Sequence, residues 1–459
     1  MRRIILAIAS AGLVGCFAPT EVPTGQVRLN PQATGGGPGF YEGYWLDGDP
    51  YDGYEPQGSS PSKRLHIEND PLVLGERMHE GYEALELRTT ARDGDLRFTL
   101  VAELEPPWSR AHSFLDYGDC DPNAPFVQED PVSLDAVEVT TAGDQVLVSY
   151  HEQGSLLAGA VDALQVTGGD PPLLRSHITF DHFDLVKAVF VPGASDRDGD
   201  VYVTGQTCDP CYDPYSALVE RIGLEDGQFT YANDWRFGMP GVAGVGLVAT
   251  PTRFFGASGN TGGVTAWNAH DEVRLAHIAL DDARWVDVDG DRMAVLTGGD
   301  DSASLHVFDA ESIEPISRID FAGVNVPLAK NTVELRDGLA WVAAGTEGLR
   351  VFDLETGAQV FHLPLADSAY DPVEVATNAV TVSEGVVFLS NGALGITVAR
   401  VVGLPGPDSA AAADYSELAV EAVGTLDVAG SVNQILYRPP HLFVAAGTEG
   451  LMMIEVDRD

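Results

Sequence analysis

The chain has 459 residues and is strongly acidic, with 26 Lys and Arg against 69 Asp and Glu and a formal net charge of -43. A surface of that charge repels phosphate backbones, so we expect no nucleic-acid partner, and it favours bound cations and basic partners. The charge does not indicate disorder, because 44% of the residues are hydrophobic and their apolar runs are regular. With only four cysteines, the chain is not a disulfide scaffold.

The first fifteen residues have the pattern of a secretory signal peptide. Arg2 and Arg3 form a basic start, and residues 4–15 are apolar but too few to span a bilayer as a helix, which needs about 20 residues. The segment ends in the letters LVGC, where Cys16 stands at the position of the lipid acceptor. This ending resembles a bacterial lipobox, in which the cysteine thiol is acylated, with palmitate among the usual acyl chains. The alternative is an ordinary signal peptide with a chance cysteine.

The resemblance to lipoproteins implies a place in the cell. Several acyl chains on Cys16 would hold the chain stably in a lipid bilayer. Residue 17 is Phe rather than Asp. In lipoproteins of two-membrane bacteria this favours the outer membrane over retention at the inner one. We therefore expect an envelope protein that is anchored by lipid, most simply in the outer membrane.

Residues 16–63 differ in composition from the rest of the chain. They contain three consecutive glycines at 35–37, many prolines and a patch of Tyr, Gly and Asp, with neither a helical nor a strand period. This composition predicts a flexible tether between the lipidated cysteine and a folded domain. Alternatively, its aromatic residues dock on that domain or on a partner.

From about residue 135 the sequence repeats. Each unit has an apolar strand, a Gly or Asp turn, a second strand rich in Val, Phe and Ala, a Gly-rich turn and a third strand that often ends in Asp. The clearest copies, 339–356 and 441–457, share the letters VAAGTEGL. Seven second strands begin near residues 146, 201, 253, 293, 340, 386 and 442. This spacing is typical of four-stranded propeller blades and predicts an all-β, seven-bladed β-propeller over residues 64–459.

The seventh unit lacks a fourth strand, because the sequence ends after its third one. Residues 96–104, LRFTLVAEL, are similar to the fourth strands of other units, such as residues 273–280. We therefore predict that residues 96–104 complete the seventh blade and close the ring, which leaves no open sheet edge there.

The repeats resemble those of the LVIVD-repeat propellers of exported bacterial proteins. The matching letters in one unit are Trp341 to Ala344, Gly348, Leu349, Val351 and Asp353, and the last unit matches likewise. The resemblance implies the propeller fold and export. That family has no single established activity, so the resemblance brings no catalytic residues with it.

Several DGD turns suggest calcium. The strongest is at Asp196, Asp198 and Asp200, but its glycine comes one place too early for an EF-hand loop. Asp-Gly is also ordinary hairpin chemistry. We therefore expect plain turns and no cofactor, with calcium at these three aspartates as the alternative.

Three cysteines remain if Cys16 is acylated. Cys208 and Cys211 form a single C-x-x-C, which is half a zinc site and lacks a second half in the sequence. In an oxidising envelope we expect them to form a local disulfide in a blade loop. A bridge from Cys120 to either of them is the alternative.

The Gly-rich loops between second and third strands are expected to surround one mouth of the central channel. These loops contain acidic and amide side chains, namely Glu152, Asn260, Asp300, Asp301, Glu347, Asn391 and Glu449. Such a mouth is predicted to bind a cation or a basic protein surface.

The sequence contains no recognisable catalytic motif, and we lean against an enzyme. The leading hypothesis is a binding module, monomeric as a domain, that is tethered in the envelope and binds a protein or glycan partner. A second hypothesis is a metal-dependent propeller hydrolase or lyase, in which Glu152, Asn260, Asp300 and Asn391 would converge on the channel. A third is a structural or assembly subunit of an envelope complex.

Overall fold

The structure is a computed structural model, and it describes residues 28–29, 65–89, 96–109, 112–113, 131–153, 156–166, 172–180, 183–207, 217–299, 302–326, 329–366, 375–403, 415 and 417–458. Before the first blade, the described elements are β1 Arg28–Leu29, β2 Leu65–Glu68, α1 Pro71–Gly75, β3 Met78–Leu85, β4 Leu87–Thr89, β5 Leu96–Leu104, β6 Trp108–Ser109, β7 His112–Ser113 and β8 Val132–Ser133. Among the described helices, none is long and apolar enough to cross a membrane.

Seven antiparallel sheets of four or five strands follow one another as the blades of a β-propeller. Blade one contains β9 Asp135–Ala142, β10 Gln145–His151, β12 Gly159–Gln165 and β13 Leu173–Phe180, and β11 Leu156–Leu157 pairs outside it with β7. Blade two contains β14 Asp184–Ser195, β15 Asp198–Gln206, β16 Ala217–Glu225 and β17 Gln228–Met239. Blade three contains β18 Gly246–Ala249, β19 Arg253–Ala257, β20 Gly263–Asn268 and β21 Arg274–Ala279.

The later blades have the same order of strands. Blade four contains β22 Ala283–Asp289, β23 Arg292–Thr297, β24 Ala303–Asp309 and β25 Pro315–Phe321, and blade five contains β26 Val333–Arg336, β27 Leu339–Ala343, β28 Leu349–Asp353 and β29 Gln359–Leu363. Blade six contains β30 Ala379–Ser383, β31 Val386–Ser390, β32 Ile396–Val402 and β33 Ala419–Leu426, and blade seven contains β34 Gln434–Arg438, β35 His441–Ala445 and β36 Leu451–Arg458. The predicted all-β propeller fold is confirmed.

The hydrophobic core is a ring of seven layers, one between each pair of neighbouring blades. The second strands are buried on both faces because blades stack face to face, which explains their uninterrupted apolar sequences. Trp341 of β27, for example, packs in the layer between blades five and six. Phe443 of β35 packs against Ala136 and Val146 of blade one, so the last blade is in contact with the first.

β5 occupies the fourth position of blade seven. It pairs antiparallel with β36, and Leu104 lies opposite Leu451 at one end of the pairing while Leu96 lies opposite Arg458 at the other. A strand that precedes blade one in the chain therefore completes the last blade. Hydrogen bonds between the two ends of the repeated region close the ring.

The segment before blade one also lies along the outer edges of several blades. β2 pairs with β13 of blade one, β3 with β5 of blade seven, β4 with β33 of blade six, and β1 with β21 of blade three. Between β2 and β3, α1 begins after Asp70, whose carboxylate accepts a hydrogen bond from the Leu72 N–H at 2.9 Å. α1 buries Leu74 in the layer between blades seven and one. This segment therefore covers the closing seam from outside.

A candidate binding site at the mouth of the channel

The first strands of consecutive blades contact one another around the ring and so form its inner wall. The turns between second and third strands share one face of the ring with the connections that enter each blade. On this face lies a cavity of about 400 Å³. Its uncharged polar wall residues come from five blades, namely His151, Gln153, Gln206, Asn260, Asn378 and Asn433. Valine and alanine residues, Gly259 and the charged residues Asp282, Arg284 and Lys330 form the rest of the lining.

A buried ionic cluster lies beside the cavity. Glu138 of β9 is only 1% exposed and pairs with Lys330, whose ammonium also donates to the Val137 carbonyl at 2.7 Å. The Lys187 Nζ atom lies 3.5 Å from Glu138 Oε1 and 3.8 Å from the centre of the Trp285 ring. Burial lowers the pKa of Lys330, and the adjacent Glu138 opposes that effect. The cluster connects blades one, two and four, and its Lys330 lines the cavity.

The other cation of the cavity wall is also paired. Arg284 bonds to Asp282, with its Nη2 atom 3.0 Å from the carboxylate, and Arg284 Nη1 donates to the Val326 carbonyl at 2.7 Å and to Asn331 Oδ1 at 3.0 Å. Lys330 pairs with Glu138, which it shares with Lys187.

Three carboxylates adjoin the cavity at blades one and two, next in the chain to lining residues or two positions from them, although none is itself a lining residue. Asp135 begins β9, Asp184 begins β14, and Glu152 follows the last residue of β10. Burial, together with the charge of the nearby Glu152, raises the pKa of Asp135 to about 6. Burial also raises the pKa of Asp184 well above its usual range, again with a contribution from Glu152. Glu152 is therefore close to both aspartates.

His151 belongs to the same wall and is uncharged at neutral pH. Its Nδ1 atom lies 3.7 Å from Asp184 Oδ1, and neither buried atom has a hydrogen-bond partner among the described residues. Burial lowers the pKa of His151 to about 4, and the charge of Lys330 acts in the same direction. The wall thus combines three carboxylates with a neutral imidazole.

The residues predicted at the mouth have different surroundings. Asn260 lines the cavity, and Glu152 lies between the lining residues 151 and 153. Asn391 is buried, accepts a hydrogen bond from Thr377 and donates one to Thr397, both at 2.8 Å. Two further predicted residues lie outside the cavity lining, and these are Glu347, whose carboxylate is 2.9 Å from Arg350 Nη2, and the exposed Glu449. Asp300 and Asp301 lie outside the described residues.

The possible calcium ligands surround the hairpin between β14 and β15. Asp198 accepts hydrogen bonds from the Ser195 hydroxyl at 2.6 Å and from the Asp226 N–H at 2.7 Å. Asp200 Oδ1 lies 3.8 Å from Arg221 Nε, while Asp196 is exposed in the turn. Within the described ranges, no group of three or more His, Cys, Asp or Glu side chains is arranged to hold a metal. The other residues predicted from the sequence, Cys16, Cys120, Cys208 and Cys211, lie outside those ranges.

The residues that define the cavity were mostly missed by sequence reasoning. Asp135, Asp184 and His151 each look like an ordinary strand end, and Lys330 lies in an irregular connection. Only the fold brings them together from separate blades. A signal was present at Glu152, because the clearest repeats have alanine at the corresponding place before the Gly-rich turn.

Comparison with known proteins identifies no family for the chain. No family model matches the chain, and no curated protein matches it. Among solved structures, the chain is similar to the computationally designed Ika8 protein with a TM-score of 0.45 and 10% sequence identity, over 82% of this chain and 98% of that one.

Proposed function

We propose that this β-propeller is a binding module that recognises a protein partner at the mouth of its channel. The observation that carries the proposal is the cavity of about 400 Å³, whose polar and charged lining residues come from all seven blades. Concave sites with apolar linings and a few polar groups are where proteins ordinarily bind ligands. The volume suits one or two inserted side chains of a partner, with the surrounding loops available for wider contact.

We further propose that the module is held in the bacterial envelope by acyl chains on Cys16. The signal-like start, the LVGC ending and the resemblance of the repeats to exported LVIVD-repeat proteins support this part of the proposal. The outer membrane is favoured by Phe17. Residues 16–63 would then act as the tether that lets the cavity reach a neighbouring envelope protein.

The test is capture of a partner from the solubilised envelope, with the full acylated chain in detergent as bait after mild crosslinking. Asn260→Trp places a large side chain in the cavity from an exposed loop position. Glu355→Trp, at an exposed turn between β28 and β29 on the opposite face, is the matched control. We expect one defined partner to be captured by the native and control chains and lost with Asn260→Trp. Capture that ignores Asn260→Trp, or no capture at all, would overturn the proposal.

The anchor has its own test. Labelling with a radioactive fatty acid should mark the native chain and leave Cys16→Ser unlabelled, and the native chain should fractionate with the outer membrane. An unlabelled native chain would contradict the anchor without affecting the cavity.

A further inference from the structure

We propose that the wall between blades one and two is a subsite for the cationic side chain of a lysine or arginine presented by the partner. The subsite consists of Asp135, Glu152 and Asp184, with the neutral His151 beside them. This inference rests on the proposed function, because it names the chemistry that the cavity recognises.

Glu152 departs from the plan of the other blades. Its N–H donates to the Ala158 carbonyl at 3.1 Å, and the same bond closes the turn in later blades, from Ala344 to Gly348 at 2.7 Å and from Ala446 to Gly450 at 2.8 Å. The two alanines are fully buried in the layers shared with their preceding blades, and blades three and six have Ser258 and Asn391 at the same place. Blade one therefore places a carboxylate where these four blades have an uncharged residue. Packing does not require a charge at this position.

Asp135 is a nearly buried carboxylate without a counterion. The residue is 6% exposed, and its side chain makes no hydrogen bond or ion pair with the described residues. The Asp184 Oδ1 atom is likewise buried without a hydrogen bond. Burial of an ionised carboxylate is costly unless it is paired. The cations that line the cavity bond to other carboxylates, Lys330 to Glu138, which it shares with Lys187, and Arg284 to Asp282. These carboxylates could therefore bind a cation that the described residues do not supply.

The surroundings favour an alkyl chain with a cationic end. Val137 and Val186 line the cavity beside the carboxylates, and Gln153 and Gln206 add amide oxygens that can accept from an ammonium or guanidinium group. Lysine and arginine bury their methylene stems on apolar surface while the charged group finds polar partners. A bare divalent ion has no alkyl chain and would make no apolar contact with these valines.

Binding of a cation at this wall should release protons from the carboxyl groups. A cluster with a purely structural role would show no such proton release. The pKa values of Asp135 and Asp184 are raised in the free protein, so these carboxyl groups keep their protons to a higher pH than ordinary aspartates do. A bound cation favours the ionised carboxylates and expels those protons. His151 is neutral and Lys330 is paired with Glu138, so neither reverses the effect. Binding should therefore strengthen as the pH rises from 6 to 8.

The experiment uses isothermal titration calorimetry of the full chain with N-acetyl-lysine amide and N-acetyl-arginine amide as probes, and with N-acetyl-norleucine amide as the neutral analogue. We expect millimolar binding of a cationic probe, with proton release seen as a dependence on buffer ionisation enthalpy. Asp135→Asn combined with Asp184→Asn should weaken binding about tenfold or more. The control, Glu355→Gln on the opposite face, should change nothing. A thermal unfolding midpoint close to that of the native chain would show that the double variant is folded.

The inference fails if the norleucine probe binds as well as the lysine probe, if the double variant binds normally, or if neither cationic probe binds. It also fails if calcium, magnesium or zinc alone binds at this wall and excludes the probes. Failure here is distinguishable from failure of the proposed function. A partner that is captured by the native chain, lost with Asn260→Trp and retained by the double variant would leave the binding module intact and remove only the cationic subsite.

Discussion

The pair formed by Arg77 and Asp162 should be one of the most important ionic contacts for the stability of the ring. Asp162 lies in β12 of blade one and is 0% exposed. Arg77, just before β3, contacts both of its carboxylate oxygens, at 3.0 Å and 2.6 Å, and donates to the Glu105 carbonyl beside β5 of blade seven. The guanidinium therefore joins the first and last blades. His177 Nδ1 lies 2.7 Å from the same carboxylate.

Arg77→Met tests this contact, because the substitution keeps a long apolar stem and removes the charge. A buried carboxylate that loses its partner destabilises a protein by about 3–5 kcal/mol, and His177 should offset part of that loss. We therefore expect the free energy of unfolding to fall by about 3 kcal/mol. Arg77→Met combined with Asp162→Leu should cost less than the sum of the two single changes, since the double variant leaves no unpaired charge.

The assay is urea unfolding at 25 °C with intrinsic fluorescence and circular dichroism, in the native chain, both single variants and the double variant. Arg318→Met is the matched control, because Arg318 is an exposed arginine that pairs with the exposed Asp320. A loss below about 1 kcal/mol for Arg77→Met would show that the pair behaves like a surface salt bridge and would refute the reasoning. The same conclusion would follow if the two single changes were strictly additive.

Three further predictions concern the channel and the closure of the ring. Burial and the neighbouring Asp287 raise the pKa of Glu334 to about 8. The unfolded glutamate ionises near its ordinary pKa, so the native chain loses stability as the pH rises toward 8. Glu334→Gln should therefore become more stable than the native chain by up to about 1.4 kcal/mol per pH unit over that range, with no gain at pH 4. Urea unfolding of both chains between pH 4 and 8 would check this. Ala102→Pro removes a ladder hydrogen bond in the middle of β5 and should open blade seven. We expect faster amide hydrogen exchange in β36, and unchanged exchange would contradict the role of β5 in closing the ring. Trp285→Leu removes the ring contact with Lys187 and should cost about 1–3 kcal/mol of unfolding free energy in thermal denaturation, whereas an unchanged midpoint would show that the contact adds nothing.

Much of the fold could be predicted because each repeat contains, within a short stretch of sequence, the residues that determine its strands and turns. Each second strand is a run of apolar residues between Gly and Asp turns, and such a run needs a sheet partner on both sides and a neighbouring blade on each face. The strand at Leu96–Leu104 could be recognised for the same reason, since it has the alternation of a fourth strand and the last unit lacks one. The outer strands β2, β3 and β4 were not predicted. They are marked mainly by their pairing with distant edges, which no local pattern encodes.

The sequence allowed the location of the channel mouth to be predicted, but not which side chains line it. The loops between second and third strands do share one face, yet of the named loop residues that the structure describes only Asn260 lines the cavity. Glu347 and Asn391 bond within their own surroundings, which depends on partners such as Arg350 and Thr377 that only the fold identifies. The buried ionic cluster beside the cavity contains residues from four separate segments of the chain. A sequence pattern cannot show that such residues meet.

The departures from the repeat are therefore more informative about binding than the repeat itself. At the residue whose N–H closes the Gly-rich turn, blades five and seven have the buried Ala344 and Ala446, and blades three and six have the buried polar residues Ser258 and Asn391. An ionised carboxylate in a buried place is costlier than any of these uncharged side chains. Glu152 occupies that place, and Asp135 and Asp184 lie near enough to raise that cost, as their elevated pKa values show. Because no described cation neutralises Asp135, the excess charge is best explained by a bound ligand, and the seam between blades one and two is where that ligand should be sought.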